Sequence, residues 1–262
     1  MPTALIVEDE PVANKLLAML VQLRGYRTES AFDGREALDK VDRHPPDVVF
    51  LDLMLPDVSG YDVCAALKTR KSTALIPVLM VTARIADENR ARSHALGAER
   101  YIAKPYTPDQ IFEALDEVDA WRKADEDRKP AGEVPFDAAE PCETLRNLAR
   151  LHNRLLGLTT LDVGPAAAVA VALQSLALAA EAWGRASGVR SVATLAYRLS
   201  DDGLEVTVRD LSGWFGDDPV SPSGPLGTAA AAFDEVRSDP SRNAIVMIKR
   251  FAGRERPGGP EG

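Results

Sequence analysis

The sequence predicts an α/β protein in two parts, a doubly wound five-stranded parallel sheet followed by a two-layer α+β domain. Through the first half, short apolar runs rich in β-branched residues alternate with helical patterns, which is typical of buried parallel strands. A charged, proline-containing stretch at residues 125–141 then indicates a linker. The remaining chain begins with helical patterns and continues with alternating strands, which favours an α+β layer.

Local signals define the elements of the first half. The first helix ends at Gly25 and the fourth at Gly97, and Pro45 stops the second. Pro108 suits the first turn of the fifth helix. The predicted order is a strand at 4–7, a helix at 11–23, a strand at 26–31, a helix at 35–44, a strand at 48–51, a helix at 60–69, a strand at 78–81, a helix at 86–96, a strand at 101–103 and a helix starting after Thr107.

Four of the predicted strands are followed by polar residues. Glu8 and Asp9 come after the first strand, Asp52 after the third, Thr82 ends the fourth and Lys104 follows the fifth. Ligands of such sheets bind at the carboxyl ends of the strands, so these side chains are expected to converge on one edge. Together they can hold a divalent metal, an attacking carboxylate and a phosphoryl group.

This pattern resembles the receiver domain of two-component response regulators over about residues 3–122. The acidic pair, the lone aspartate, the threonine and the Lys-Pro pair all stand at the family's spacing, and Gly60 follows Asp52 by eight residues as in the family. The resemblance implies a flavodoxin-like fold. It also implies a sensor histidine kinase or a phosphotransfer protein as the phosphodonor, and it allows a homodimer.

The candidate phosphoacceptor and metal ligands are acidic. Asp52 is the candidate nucleophile, because phosphoryl transfer to a carboxylate needs an in-line attacking oxygen. Glu8, Asp9 and Asp52 are predicted to hold Mg²⁺, which prefers oxygen ligands. The resemblance implies that the backbone carbonyl of Met54 adds a further ligand.

Three more residues are candidates for the response to phosphorylation. Lys104 supplies a cation for the phosphoryl oxygens. Thr82 is expected to turn its hydroxyl toward a phosphoryl oxygen. Tyr101 stands where the family has its switch aromatic, and the resemblance implies that its ring turns inward once Thr82 has moved.

Whole-chain composition limits the partners. The net charge of −9 argues against a nucleic-acid footprint, so DNA is not expected as a partner. Cys64 and Cys142 offer neither a disulfide framework nor metal-ligand spacing. No uninterrupted apolar stretch reaches the ~18–20 residues that span a bilayer. We therefore expect a cytoplasmic protein without a membrane partner.

The second half predicts the output domain. The expected organisation is a receiver at 1–124, a linker at 125–141, an output domain at 142–254 and a disordered tail at 255–262. Within the output domain the patterns predict helices near 145–155 and 166–186, a hairpin of 192–199 and 204–210, a short helix near 228–236 and a last strand at 244–250.

That order resembles the ATPase domain shared by histidine kinases and anti-sigma-factor serine kinases. Gln174 and Leu178 stand where that family has a glutamate and, four residues later, a metal-binding asparagine. Because leucine cannot replace a metal-binding amide, no nucleotide-binding residue is assigned. His152 lies on a predicted helix ahead of this domain, but no acidic residue follows it as in phosphotransfer helices.

Three classes of function stay open. The favoured one is a phosphorylation-gated output domain that binds a protein target, with no enzyme activity beyond phosphoryl uptake and hydrolysis at Asp52. The second is a receiver-controlled ATP-binding enzyme of the serine or histidine kinase type. The third is a transcription regulator, which the acidic balance and the lack of a basic recognition-helix pattern argue against.

Overall fold

The chain forms two compact units in a computed structural model. The first unit comprises Met1–Lys129 and Glu140–Thr159, and the second comprises Pro130–Ala139 and Thr160–Gly262. The structure describes residues 1–83, 87–126, 131–137, 147–148, 150–151, 169, 192–200, 203–209, 230–239 and 244–250.

A parallel sheet with alternating helices builds the first unit. Its elements are β1 (Thr3–Val7), α1 (Pro11–Leu23), β2 (Arg27–Ala31), α2 (Gly34–Arg43), β3 (Val48–Leu51), α3 (Gly60–Lys68), β4 (Val78–Thr82), α4 (Asp87–Ala95), β5 (Arg100–Ala103) and α5 (Pro108–Glu126). The strand order is β2-β1-β3-β4-β5, and every pairing is parallel. The predicted doubly wound five-stranded sheet is therefore confirmed.

Helices cover both faces of this sheet. Successive side chains of β1 point to opposite faces, so Leu5 joins one core cluster and Ile6 joins the other. The first cluster includes Val63 of α3, and the second includes Leu17 of α1 and Ile111 of α5. Because β1, β3 and β4 are buried on both faces, their sequences are almost continuously apolar.

An antiparallel sheet forms the described part of the second unit. Its strands are β6 (Ala131–Asp137), β7 (Val192–Ser200), β8 (Gly203–Arg209), β9 (Glu235–Asp239) and β10 (Ala244–Arg250). They lie in the order β6-β7-β8-β10-β9. Leu204, Val206 and Val208 alternate with more exposed residues along β8, so this strand buries one face. The predicted hairpin and the predicted last strand are confirmed.

The predicted linker at 125–141 is wrong where β6 lies. Helix α5 continues to Glu126, and β6 pairs antiparallel with β7, with Val134 opposite Leu195. Pro135 within β6 lacks a backbone donor, but β6 is an edge strand and can tolerate this. The charged residues and prolines of this stretch therefore belong in part to an edge strand and not only to a connection between domains.

The predicted short helix near 228–236 is wrong from residue 231 onward: Ala230 is helical, residues 231–234 form turns and bends, and β9 begins at Glu235. Just before it, the carboxylate of Asp234 accepts hydrogen bonds from the backbone N–H of Arg250 (2.6 Å) and from Lys249 Nζ (2.9 Å). These bonds give the segment an alternative to helical hydrogen bonding. The backbone N–H of Asp234 also donates to the carbonyl of Ile248 on β10 at 2.9 Å.

Several other predictions concern residues that the structure describes little or not at all. Of the two helices predicted near 145–155 and 166–186, it describes five residues, all helical: Asn147, Leu148, Arg150, Leu151 and Val169. His152, Gln174, Leu178 and the tail at 255–262 lie outside the described residues. No helix in the described ranges has both the length and the apolar composition needed to cross a bilayer.

Candidate functional site

Backbone hydrogen bonds bring the predicted site residues to the carboxyl edge of the parallel sheet. The N–H of Asp52 donates to the carbonyl of Val7 at 3.0 Å, which places the end of β3 beside the end of β1. The N–H of Lys104 donates to the carbonyl of Thr82 at 2.8 Å, which joins the ends of β5 and β4 in the same way. The predicted convergence of these strand ends is thus present.

Three carboxylates form one cluster at this edge. Glu8, Asp9 and Asp52 each offer a carboxylate oxygen, and these oxygens lie within 4.8 Å of one another. Glu8 and Asp52 are buried, whereas Asp9 is exposed. Clustered carboxylates repel each other, and a hard divalent cation relieves that repulsion while keeping some water ligands. The donor set therefore fits Mg²⁺.

Lys104 neutralises two of these carboxylates. Its Nζ donates to Asp52 Oδ2 at 2.5 Å and to Glu8 Oε2. Burial lowers the pKa of Lys104, but its hydrogen bonds to Asp52 and Glu8 outweigh burial, so the pKa is raised and the ammonium stays charged. Burial raises the pKa of Glu8, although the hydrogen bond from Lys104 opposes that rise.

The loop after β3 fixes the orientation of Asp52. The backbone N–H of Met54 donates to Asp52 Oδ1 at 3.0 Å, while Lys104 holds the other carboxylate oxygen. A Cβ on Gly60 would lie 2.1 Å from the backbone carbonyl oxygen of Asp52, so only glycine fits there. The role of the Met54 carbonyl as a metal ligand stays a prediction.

Thr82 and Tyr101 lie on the neighbouring strands β4 and β5. Thr82 is fully buried at the carboxyl end of β4, which is the edge that carries the carboxylates. Tyr101 is half-buried and packs against the core cluster that contains Val63 of α3. The parts that Thr82 and Tyr101 play in a response to phosphorylation stay predictions.

Sequence reasoning missed two residues that fix the turn between β1 and α1. Glu10 caps α1, because its carboxylate accepts from the N–H groups of Val12 (3.1 Å) and Ala13 (2.6 Å). Asn14 is buried and donates to the carbonyl of Glu8 at 3.2 Å. An amide on the same helical face as Leu17 was the signal that could have identified Asn14.

An apolar stripe runs along the solvent side of α1. Val12, Leu16, Met19 and Leu23 follow one another at helical spacing, and each side chain is more than half exposed. Large apolar side chains that share one exposed face indicate an interaction surface. The first residue of the stripe, Val12, follows Asp9 of the acidic cluster by three positions in the chain.

Comparison with protein families finds a match within the first unit. Residues 4–116 match the model of the response regulator receiver domain. Among solved structures, the chain is similar to the chemotaxis response regulator CheY4 of Vibrio cholerae, with 30% identity and a TM-score of 0.43. That likeness covers 45% of this chain and 98% of the other.

Individual relatives match over a similar part of the chain. The sensory transduction protein RegX3 of Mycobacterium bovis is 42% identical over 112 residues, which is 43% of this chain and 48% of the relative. The transcriptional regulatory protein TcrA of Mycobacterium tuberculosis is 38% identical over 139 residues, covering 52% and 53%. The phosphate regulon transcriptional regulatory protein PhoB of Rhizobium meliloti is 34% identical over 112 residues, covering 43% and 49%. The chain thus spans about half the length of these relatives.

Proposed function

Since residues 4–116 are a response regulator receiver domain, we propose that the chain takes up a phosphoryl group on Asp52 and thereby switches an output carried by its second unit. One observation supports this most directly. Asp52 is a buried carboxylate whose Oδ2 accepts a hydrogen bond from Lys104 Nζ at 2.5 Å. Its carboxylate also lies close to those of Glu8 and Asp9. The arrangement supplies a nucleophile, a cation and a donor set for Mg²⁺ within a few ångströms.

In the proposed reaction, one carboxylate oxygen of Asp52 forms a bond to phosphorus. The bond between phosphorus and the donor breaks, and the leaving group departs with its electron pair. Lys104 stays charged and balances the negative charge that gathers on the phosphoryl oxygens. Mg²⁺, held by Glu8, Asp9 and Asp52, would supply further charge neutralisation of those oxygens.

The proposed switch runs through β4 and β5. Thr82 at the end of β4 meets the new phosphoryl group, and Tyr101 on β5 changes the packing of its ring. The antiparallel sheet of the second unit carries the output, and its target is a protein partner. We place the functional division between a receiver within 1–124 and an output region that follows it.

A sensor histidine kinase is the proposed phosphodonor. The exposed stripe on α1 offers an apolar face next to the acidic cluster, which suits docking of an apolar helical surface that presents a phosphohistidine. Leu16 lies in the middle of that stripe. Replacing it with aspartate is expected to slow transfer from a kinase and to leave uptake from a small-molecule donor unchanged.

Acetyl phosphate with Mg²⁺ tests the proposal on the full chain. Intact-mass spectrometry should find one added phosphoryl group that hydroxylamine removes, as expected for an acyl phosphate. Asp52→Asn should abolish the adduct, and Asp62→Asn, an exposed aspartate on α3, should leave it unchanged. An adduct that survives in Asp52→Asn would overturn the assignment of the phosphoacceptor.

Transcription regulation is the second candidate function, and the relatives favour it. TcrA and PhoB are named transcriptional regulatory proteins, which opposes the expectation from net charge that DNA is not a partner. The test is a DNA mobility shift with the full chain, with and without beryllofluoride, at several salt concentrations. Specific binding that weakens with salt would support this function over a protein target.

A further inference from the structure

A buried amide holds the backbone of the turn that carries two of the proposed Mg²⁺ ligands. Asn14 on α1 is 2% exposed, and its Nδ2 faces three carbonyl oxygens. The distances are 3.2 Å to Glu8, 3.3 Å to Ile6 and 3.4 Å to Ala31. Three acceptors on one side require the nitrogen of the amide to face them, which fixes the orientation of the side chain.

A hydroxyl secures the other end of the amide. Ser30 Oγ donates to Asn14 Oδ1 at 2.6 Å. The carbonyl of Ser30 in turn accepts from Lys40 Nζ, and Lys40 pairs with Glu36 at 2.8 Å. The network therefore extends from α2 through the end of β2 to the turn after β1.

Glu8 is held on both sides of its peptide backbone. Its N–H donates to the carbonyl of Ala31 at 3.1 Å, and its own carbonyl accepts from Asn14. Two residues later in the same turn, Glu10 is the N-cap of α1. The backbone between β1 and α1 is thus fixed before any ion arrives, although Asp9 itself is exposed.

We propose that Asn14 and Ser30 are positioning residues that set the Mg²⁺ affinity of the acidic cluster by fixing the Glu8–Asp9 turn. This inference rests on the proposed Mg²⁺ site. Outer partners that orient metal ligands typically contribute about 10- to 100-fold to metal affinity. Neither residue touches the ion, so their effect passes through the backbone of Glu8.

Ser30→Ala is the main variant, because removing one hydroxyl from a half-buried position leaves the core intact. Mg²⁺ binding to the full chain, measured by isothermal titration calorimetry, should weaken about tenfold. Ser30→Thr keeps the hydroxyl on a strand residue and should restore the affinity. Asn14→Leu removes all the donors and should weaken binding more strongly than Ser30→Ala.

A matched control lies between the same two elements. Gln22 Nε2 on α1 donates to Thr28 Oγ1 on β2 at 2.7 Å, on the exposed surface. Gln22→Ala breaks that bond and should leave Mg²⁺ affinity unchanged. In metal-free protein, hydrogen exchange at the amides of Asp9 and Glu10 should speed up in Ser30→Ala and not in Gln22→Ala.

The outcomes distinguish a failure of the proposed Mg²⁺ site from a failure of the proposed role of Asn14 and Ser30. If wild-type protein does not bind Mg²⁺, the proposed function fails at its metal site and the inference fails with it. If the wild type binds Mg²⁺ and Ser30→Ala binds equally well with unchanged exchange, the inference alone is overturned. A tenfold loss that Ser30→Thr reverses and Gln22→Ala does not share would establish it.

Discussion

Arg150 forms an ion pair with Glu99, a buried carboxylate directly before β5. The two residues are 51 positions apart in the chain and belong to the same unit. Leu148 and Leu151, on either side of Arg150, are both buried. Glu99 Oε1 has no hydrogen-bond partner among the described residues. Arg150 pairs with the other carboxylate oxygen, Oε2, and the buried ammonium of Lys68 also interacts electrostatically with Glu99.

Removing Arg150 should therefore destabilise the first unit. Arg150→Met removes the ion-pair partner of a buried carboxylate, and we expect a loss of about 3 kcal/mol in the free energy of unfolding. Urea unfolding of the full chain measures it. Adding Glu99→Gln should recover much of the loss, and Arg70→Met, which breaks an exposed pair with Asp42, should cost less than about 1 kcal/mol. Equal losses for Arg150→Met and Arg70→Met would contradict the expectation.

Gly60→Ala should weaken Mg²⁺ binding by displacing the backbone of Asp52. The new Cβ would lie 2.1 Å from the backbone carbonyl oxygen of Asp52. The backbone fixes the positions of both atoms, so the segment that carries Asp52 must move. We expect Mg²⁺ affinity to fall about tenfold or more, measured by calorimetry. Gly25→Ala is the control, because its φ of +81° makes alanine cost about 1 kcal/mol of stability in open space, away from the site. Unchanged Mg²⁺ binding in Gly60→Ala would refute the prediction.

Lys104→Met should separate metal binding from phosphoryl uptake. Nζ of Lys104 competes with Mg²⁺ for the carboxylate oxygens of Asp52 and Glu8, so its removal should tighten Mg²⁺ binding by about tenfold. The rate of phosphorylation by acetyl phosphate should fall, because the phosphoryl oxygens lose a cation. Lys15→Met, an exposed lysine on α1, should change neither quantity. Weaker Mg²⁺ binding in Lys104→Met would show that the ammonium does not compete with the ion.

The stability of the metal-free protein should depend on the protonation of Glu8. Its folded-state pKa is raised above 4.5 by burial, against the pull of Lys104. A carboxyl with a raised pKa binds its proton more tightly in the folded state, so its contribution to stability is lost as pH rises through that pKa. Urea midpoints measured in chelator from about pH 4.5 upward should show this decline in wild-type protein, and the decline should be smaller in Glu8→Gln. Identical pH profiles would argue against it.

Most of the first unit and its site could be predicted from sequence, because both depend on local patterns. Strands buried on two faces are continuous apolar runs, and the polar residue after each run locates the edge of the sheet. The sequence could not indicate that Lys104 reaches both Glu8 and Asp52, since that depends on how neighbouring strands align. Nor could it indicate the role of Asn14, whose three acceptors come from β1, from the turn that follows it and from β2.

The second unit was harder to predict because its signals conflict. The hairpin of β7 and β8 was predicted correctly, because its sequence combines a turn signal at Asp201-Asp202-Gly203 with apolar and polar residues that alternate along β8. β6 contains a proline and charged neighbours, which favour a linker locally, and only its pairing with β7 makes it a strand. β9 likewise depends on its partner β10 for its conformation.

The order of segments along the chain has a consequence for building chimaeric proteins. Pro130–Ala139 belongs to the second unit, whereas Glu140–Thr159 returns to the first. A fusion joined just after α5 would therefore transplant a receiver without Arg150 and would remove the ion-pair partner of Glu99. A junction placed after Arg150 would keep the ion pair but would carry β6 away from the rest of the second sheet. Neither unit can therefore be moved to another protein as one contiguous segment with all of its contacts.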